Sequence, residues 1–138
     1  MNLLKDALEK RPAVITLLAA LVAVSYFSSL FYPFIWDDKL LVVDNPGIRE
    51  GWWSILTAFS PRMWGFRTDV WAFQGYYRPF HSIHSIIDYQ IWGLNPFGFH
   101  LSNTLIHLVN AVLVYLFAWR LTAEKYTSVF AASIFAVH

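Results

Sequence analysis

The sequence contains no cysteine, which excludes disulfide bonds, zinc–thiolate sites and thiol nucleophiles. Charged residues are scarce too, at 14% of the 138 residues, where soluble domains have about a quarter. Hydrophobic residues make up 57% of the chain and aromatic residues 19%. This composition indicates an integral membrane protein, surrounded by lipid.

Sequence signals for nucleotide or nucleic-acid binding are also missing. Lys and Arg form no run or patch and the formal net charge is +1, so nucleic acid is not an expected partner. The glycines lack the spacing of a phosphate-binding loop, and neither Gly-x-Ser-x-Gly nor His-Glu-x-x-His occurs. An enzyme of this kind that acts outside the cytoplasm would need a donor delivered by the lipid.

The first long hydrophobic run extends from Pro12 to Trp36 without a single Lys, Arg, Asp or Glu. At about 1.5 Å of rise per residue, a helix of this length exceeds the roughly 30 Å of a hydrocarbon layer. We expect residues 12–36 to form a first transmembrane helix that stays attached as a signal anchor, because no Ala-x-Ala cleavage site precedes Tyr32. Residues 1–11 should form a short amphipathic start.

Two adjacent carboxylates, Asp37 and Asp38, follow this run directly. They repel each other, so one tends to keep its proton unless a cation or a basic group neutralises the pair. The pair suits a general base beside a metal, or simply a solvated helix end. These residues alone leave both alternatives open.

Residues 37–97 are expected to form a loop that is dense in tryptophan. Asn45-Pro46-Gly47 predicts a turn, because Pro46 fixes φ and Gly47 tolerates positive φ. Aromatic rings with a polar tip favour the headgroup zone, so short interfacial helices on the membrane surface are expected. The residues that carry this expectation are Trp52, Trp53, Ile55, Leu56, Phe59, Trp64, Trp71, Phe73, Tyr76 and Tyr77.

Pro79 is expected to open a helix at its first turn, and Gly93 with Asn95-Pro96 to end it. One face of this helix is apolar, and the other carries His and Asp at spacings of three, four and seven. Such a set could bind a metal or relay protons, but the solvated side of an interfacial helix is the commoner case. Its members are His81, His84, Ser85 and Asp88.

A second transmembrane helix is expected at residues 98–119. Four polar side chains form one stripe on this helix, namely His100, Asn103, His107 and Asn110. Polar residues inside a membrane usually face other helices or a cavity. The stripe therefore predicts either interhelical hydrogen bonds that fix packing or the wall of a polar cleft open to substrate.

Residues 126–138 begin a third apolar run of about 20 Å, short of the roughly 30 Å that a crossing needs. We therefore expect an incomplete third helix and the amino-terminal portion of a longer protein. Lys5, Lys10 and Arg11, together with Arg120 and Lys125, predict a cytoplasmic amino terminus and an extracytoplasmic loop. The host membrane is expected to be a bacterial inner membrane or the endoplasmic reticulum.

Several short motifs recur in an order that resembles the membrane glycosyltransferases of the GT-C fold. The resemblance is greatest to the transmembrane and tetratricopeptide-repeat O-mannosyltransferases and their bacterial relatives, and it covers nearly the whole chain. The motifs are Trp36-Asp37-Asp38, Asn45-Pro46, Trp64-Gly65, Tyr77-Arg78-Pro79, Asn95-Pro96-Phe97-Gly98-Phe99-His100, Asn103, His107 and Phe135-Ala136-Val137-His138.

The resemblance implies an all-α, multi-pass helical bundle with a long extracytoplasmic first loop. It also implies an enzyme that moves a sugar, typically mannose, from a polyprenyl or dolichyl phosphate to an acceptor hydroxyl, on a protein in these families. The competing class is a non-enzymatic membrane component, such as a transporter or flippase segment or an accessory subunit.

The resemblance further implies roles for individual residues. Asp37 would be the catalytic base and Asp38 its orienting partner or a ligand of a divalent metal such as Mg²⁺ or Mn²⁺. Arg78 would hold the lipid phosphate, since its planar fork suits phosphate oxygens; an Arg that meets ordinary headgroup phosphate is the alternative. The lipid-phosphate cleft would be lined by His100, Asn103 and His107.

Overall fold

The computed structural model describes residues 12–60 and 78–138, and all regular secondary structure in these ranges is helical, as expected. The expected amphipathic start at residues 1–11, and the aromatic residues between 61 and 77, lie outside the described residues. The α-helices are α1 (Pro12–Tyr26), α2 (Ser54–Thr57), α3 (Pro79–Trp92), α4 (Pro96–Thr122) and α5 (Lys125–Val137). Shorter turns are the 3₁₀ turns Ser28–Phe31 and Pro46–Arg49 and the π-helical turn Lys39–Val43.

The chain divides into two compact units. The helix unit consists of residues 1–31 and 100–138, and the loop unit consists of residues 32–99.

In the helix unit, α1 packs against α5 through residues spaced four apart on each helix. Small side chains on α5 let the two backbones approach closely, which is a common means of helix association in membranes. From α4, Ala111 and Tyr115 join the same core. The buried residues are Val14, Leu18 and Val22 on α1 and Ser128, Ala132 and Ala136 on α5.

Helix α4 has the length and composition of a membrane-spanning segment. Its 27 residues span about 40 Å, and only 11% of its most apolar stretch is buried. The core helix of a soluble protein would be mostly buried, whereas α4 exposes large apolar side chains such as Val109, Leu113 and Phe117. The expected second crossing at residues 98–119 therefore lies within a helix suited to lipid.

The first hydrophobic run is not one helix up to Trp36, as the sequence led us to expect. Helix α1 ends at Tyr26, and its 15 described residues span only about 22 Å. Ser29 Oγ donates to the Tyr26 carbonyl at 2.7 Å, a local bond that competes with the helix. Pro33, which lacks an N–H and disfavours helix at the preceding residue, prevents α-helix from resuming.

The third apolar run is helical, as expected, and begins at Lys125. Glu124 precedes it and caps it: one carboxylate oxygen accepts hydrogen bonds from the backbone N–H groups of Tyr126 and Thr127 at 3.1 and 3.2 Å. Helix α5 is therefore held at its first turn by a residue that the sequence pattern did not single out.

The loop unit has its own small core of Val42, Ile48, Ile86 and Phe99. Asn45 Oδ1 accepts a hydrogen bond from Gly47 N at 3.0 Å and caps the 3₁₀ turn that follows. The expected turn is thus confirmed, but Gly47 is not among the residues with positive φ, since a 3₁₀ turn needs none.

Helix α3 begins at Pro79 and stops at Gly93, as expected, but only part of its polar side is solvated, since His81 is exposed and Ser85 and Asp88 are not. Ser85 and Asp88 are 4% and 2% exposed, while Phe80 and Ile91 are 79% and 59% exposed. The helix packs against the Pro46–Arg49 turn and places Ile86 in the core, which turns Ser85 and Asp88 inward with it. The interpretation of these two residues as a wet face is therefore wrong.

Candidate functional site

The Asp37-Asp38 pair lies in the first turn of a short helical segment that continues into Lys39–Val43. Asp38 is half-buried, and its Oδ2 accepts a hydrogen bond from Ile35 N at 3.3 Å. The Asp38 N–H donates in return to the Ile35 carbonyl at 3.0 Å. Asp37 is exposed. The two neighbouring carboxylates therefore have different surroundings.

The residue before the pair has an unusual backbone conformation. Trp36 has a φ of 48°, in the left-handed region that a bulky side chain rarely adopts. Such conformations cost of order 1–3 kcal/mol and cluster at functional sites. This bend joins residues 32–35, which have no regular secondary structure, to the turn that presents both carboxylates.

A second acidic group lies on α3. His84 Nε2 is 3.3 Å from Asp88 Oδ2, and the Asp88 side chain is only 3% exposed. A buried carboxylate is costly unless it is paired or hydrogen-bonded, so the imidazole one helical turn away offsets part of that cost. This pair lies on the inward side of α3.

His81, one turn before His84, connects α3 electrostatically to the carboxylate pair. Partial burial lowers the pKa of His81 below 6.5, although much of the residue remains exposed, and the charges of His84 and Arg78 act in the same direction. The Asp38 and Asp37 carboxylates act in the opposite direction. With its pKa below 6.5, His81 is neutral at pH 7 and able to accept a proton.

These influences place Arg78 and the carboxylate pair within electrostatic range of the same imidazole. Arg78 is exposed and immediately precedes α3, so its position is set by the start of that helix. The charges of two acids, one guanidinium and a second imidazole thus all act on His81. The sequence pattern predicted the acids and Arg78 but did not relate His81 to them.

A metal centre does not follow from this geometry. Within residues 12–60 and 78–138, no three His, Cys, Asp or Glu side chains are close enough to hold a metal ion. Asp38 was predicted as a metal ligand. Asp37 and Asp38 alone do not form a metal site, because a divalent cation binds more ligands than two carboxylates provide. A requirement for Mg²⁺ or Mn²⁺ stays a prediction, and no chemical step below depends on it.

The polar stripe of α4 lies in the helix unit and lines a cavity of about 250 Å³. Three of its members contribute, while Asn110 is not among the lining residues. Three further residues that sequence reasoning missed complete the wall. The lining residues are Tyr26, Ser29, His100, Asn103, Thr104 and His107.

His107 also holds three helices together. Its Nε2 lies 3.2 Å from the carbonyl oxygen of Ala136, and because a carbonyl can only accept, this nitrogen carries the hydrogen. The ring packs edge-to-face on Tyr26 at 4.9 Å and stacks on Phe135 at 5.1 Å. Interhelical packing is therefore seen at His107, and its neighbours line a polar cavity, while binding of substrate there stays a prediction.

Tyr26 and Ser29 gave no signal on their own, because they belong to a long run without charged residues, and Thr104 was not counted in the stripe. Thr104 lies beside His100 and His107 on the helical surface, four and three residues away, so the polar arc is wider than the four residues suggested. Tyr26 is the last residue of α1 and Ser29 lies in the 3₁₀ turn that follows, whereas the sequence predicted that the helix would end ten residues later, at Trp36.

Comparison with known proteins adds an independent finding. Protein O-mannosyl-transferase TMTC3 of Mus musculus is 33% identical over 124 residues, which are 90% of this chain and 13% of that protein. Protein O-mannosyl-transferase TMTC1 of Homo sapiens is 32% identical over 132 residues, covering 88% of this chain and 14% of that protein.

The chain resembles the TMTC-type protein O-mannosyl-transferases. Protein O-mannosyl-transferase Tmtc2 of Drosophila melanogaster is also similar to it: the two are 31% identical over 121 residues, which are 86% of this chain and 13% of that protein. The chain spans about an eighth of the length of each of these TMTC relatives. No family model and no solved structure matches it.

Proposed function

We propose that this chain belongs to a GT-C-type membrane glycosyltransferase that moves mannose from a polyprenyl or dolichyl phosphate to a hydroxyl group of an acceptor protein, outside the cytoplasm. The proposal rests on the resemblance to proteins named O-mannosyl-transferases. The observation that carries it is that the charges of Asp37, Asp38 and Arg78, all in the loop unit, act on the same imidazole, that of His81.

Glycosyl transfer to a hydroxyl needs a base at the acceptor and a positive charge at the leaving group. Asp37 is the base in this proposal, because it is exposed while Asp38 is engaged with Ile35 N. The acceptor oxygen attacks the anomeric carbon of mannose as its proton passes to the Asp37 carboxylate. The bond from that carbon to the phosphate oxygen breaks, and its electron pair leaves on the phosphate.

Arg78 neutralises the charge that develops on the departing lipid phosphate. Its guanidinium can donate two parallel hydrogen bonds to phosphate oxygens, a geometry that a lysine cannot reproduce. Asp38, half-buried and hydrogen-bonded to the preceding turn, orients the pair.

The donor is lipid-linked because the loop lies outside the cytoplasm, where nucleotide sugars are not supplied. Lys5, Lys10 and Arg11 on one side of the first hydrophobic segment, and Arg120 and Lys125 after α4, support this orientation. The acceptor hydroxyl then reaches Asp37 from the aqueous side, and the donor reaches Arg78 from the membrane.

The experiment is a transfer assay with the full-length protein in lipid vesicles and an acceptor protein. Labelled mannose is supplied either on dolichyl phosphate or on a nucleotide. We expect label on the acceptor with the lipid-linked donor alone. Transfer from the nucleotide sugar without any lipid intermediate would contradict the proposal, and no transfer from either donor would favour a non-enzymatic membrane component.

A further inference from the structure

An open groove of about 740 Å³ runs between α1 and α5, near the start of each helix and within the helix unit. Along α5 it extends from Lys125 to Ser133, which is about 12 Å at about 1.5 Å of rise per residue. Leu17 of α1 and Val129 and Phe130 of α5 give it apolar walls. Among the described residues that line it, Lys125 is the only one with a charge. A matching occupant is therefore amphipathic, with a hydrocarbon part and one anionic end.

The charged end of the groove is a lysine without an ion-pair partner among the described residues. Glu124 precedes Lys125 in the chain, but its carboxylate accepts hydrogen bonds from the N–H groups of Tyr126 and Thr127. The partial positive charge of the helix start offsets the charge of that carboxylate. Lys125 is exposed, so its ammonium can bind an anion that approaches along the groove.

A lipid fits this arrangement better than another protein helix does. A helix seated in the groove would enclose the Lys125 ammonium in an apolar contact, and a charged group inside a membrane is costly unless it is paired. A lipid brings its own phosphate to that ammonium and lays an acyl chain against Phe130, which is 69% exposed. Tyr126, at 80% exposed, adds an amphipathic ring of the kind that favours the headgroup level.

Further basic residues lie, in the sequence, next to the helix ends that form the groove. Arg120 is in the last turn of α4, shortly before α5 begins, and Lys10 and Arg11 directly precede α1. Basic side chains beside membrane helices attract anionic lipids, and basic pockets between such helices bind anionic headgroups. The charge therefore favours a lipid with net negative charge over a zwitterionic one.

We propose that this groove binds one anionic glycerophospholipid of the surrounding bilayer, with an acyl chain along Leu17, Val129 and Phe130 and its phosphate on the Lys125 ammonium. The lipid fills the space between α1 and α5 near their first turns. The inference concerns the helix unit alone and does not depend on the proposed transfer reaction, so either can fail without the other.

The test places a photoreactive side chain in the groove of the full-length protein, as Phe130→p-benzoylphenylalanine. The protein is irradiated in vesicles of equal amounts of phosphatidylglycerol and phosphatidylcholine with identical acyl chains, and mass spectrometry identifies each adduct. One lysine near a membrane surface contributes about fivefold in affinity for anionic lipid, so phosphatidylglycerol adducts should outnumber phosphatidylcholine adducts by about fivefold.

Lys125→Gln in this background should make the two adducts equally frequent, while Lys125→Arg should keep the parental ratio because arginine retains the positive charge. The matched control is Arg120→Gln, which removes one positive charge outside the groove lining and should also keep the parental ratio. Both Lys125 and Arg120 are exposed, so neither substitution removes core packing.

A cross-link from the groove to another part of the protein, or to a second copy, would show that a protein segment fills it and would overturn the inference. Equally frequent adducts in the parent would mean that the groove does not select its lipid, which contradicts the inference as well. A ratio that falls as much with Arg120→Gln as with Lys125→Gln would assign the preference to the charge of the whole surface and not to this groove.

Discussion

Asp37 and Asp38 are neighbours in the chain, yet their surroundings differ. Asp38 accepts a hydrogen bond from Ile35 N, while Asp37 is exposed beside the left-handed Trp36. A difference in environment is what lets one member of a carboxylate pair act as base while the other orients it. Arg78 contributes a positive charge and His81 a neutral imidazole, and both are within electrostatic range in the same unit.

Replacement of Arg78 by Ala should weaken donor binding more than it slows turnover. Hydrogen bonds to a charged group contribute about 1.5–3 kcal/mol, so the half-saturating concentration of lipid-linked sugar should rise roughly ten- to a hundredfold. For Arg78→Lys, the half-saturating concentration should lie between those of the parent and of Arg78→Ala, because lysine keeps the positive charge but cannot donate two parallel hydrogen bonds. The measurement is transfer rate against donor concentration.

Arg120→Ala, at the last turn of α4, serves as the control and should leave donor saturation unchanged. An Arg78→Ala variant that saturates like the parent would show that this guanidinium meets bulk headgroups or solvent.

Among single residues, those that could be predicted from the sequence are the ones marked by their charge or by a charged neighbour in the chain. The Asp pair and Arg78 were visible because each is an uncommon charge in an apolar chain. The burial of Asp88 was not, because it depends on how α3 rotates about its axis to place Ile86 in the core. That rotation is set by packing against the Pro46–Arg49 turn, and the spacing of apolar residues along α3 does not predict this contact.

Among the helices, α4 was predictable and the end of α1 was not. A long uncharged run at helical spacing fixes a crossing helix, and Pro96 starts it within two residues of the expected position. The end of α1 depends on a local competition, in which Ser29 takes the Tyr26 carbonyl and Pro33 blocks the return to helix. The length of a run without charged residues cannot reveal such competition, because every residue involved in it is uncharged.

Replacement of Ala123 by Gly should stabilise the end of α4. Ala123 has a φ of 55°, which costs an L-residue roughly 1–2 kcal/mol and glycine almost nothing. The residue is exposed, so little packing is lost. We expect a gain of about 1 kcal/mol, seen as a rise of a few degrees in the thermal unfolding midpoint of the detergent-solubilised protein.

The matched variant is Ala118→Gly in the body of the same helix. It should lower the free energy of unfolding by about 1 kcal/mol, the usual cost of glycine within a helix. If both variants were destabilised alike, the left-handed conformation of Ala123 would not be present in solution.

For the whole molecule, the decisive property is which side of the membrane carries the loop unit. The 138 residues contain no cysteine, so a thiol introduced at either position is the only one within this chain. Glu50→Cys and Thr122→Cys both place the thiol at an exposed position, one in the loop unit and one at the end of α4.

A membrane-impermeant thiol reagent added from outside the cytoplasm should label Cys at position 50 and not at position 122. The distribution of Lys and Arg predicts this pattern. Labelling of position 122 alone would place the acids in the cytoplasm and remove the reason for a lipid-linked donor.

The rate of mannose transfer by Asp37→Asn tests the central claim most directly. Asn keeps the size of the side chain but cannot accept the proton, so turnover should fall by about 10²-fold or more while donor binding changes little. Asp44→Asn is the control, since Asp44 is exposed in the same loop unit and should support the parental rate. Parental turnover by a normally expressed Asp37→Asn variant would make the pair a solvated turn and contradict the account.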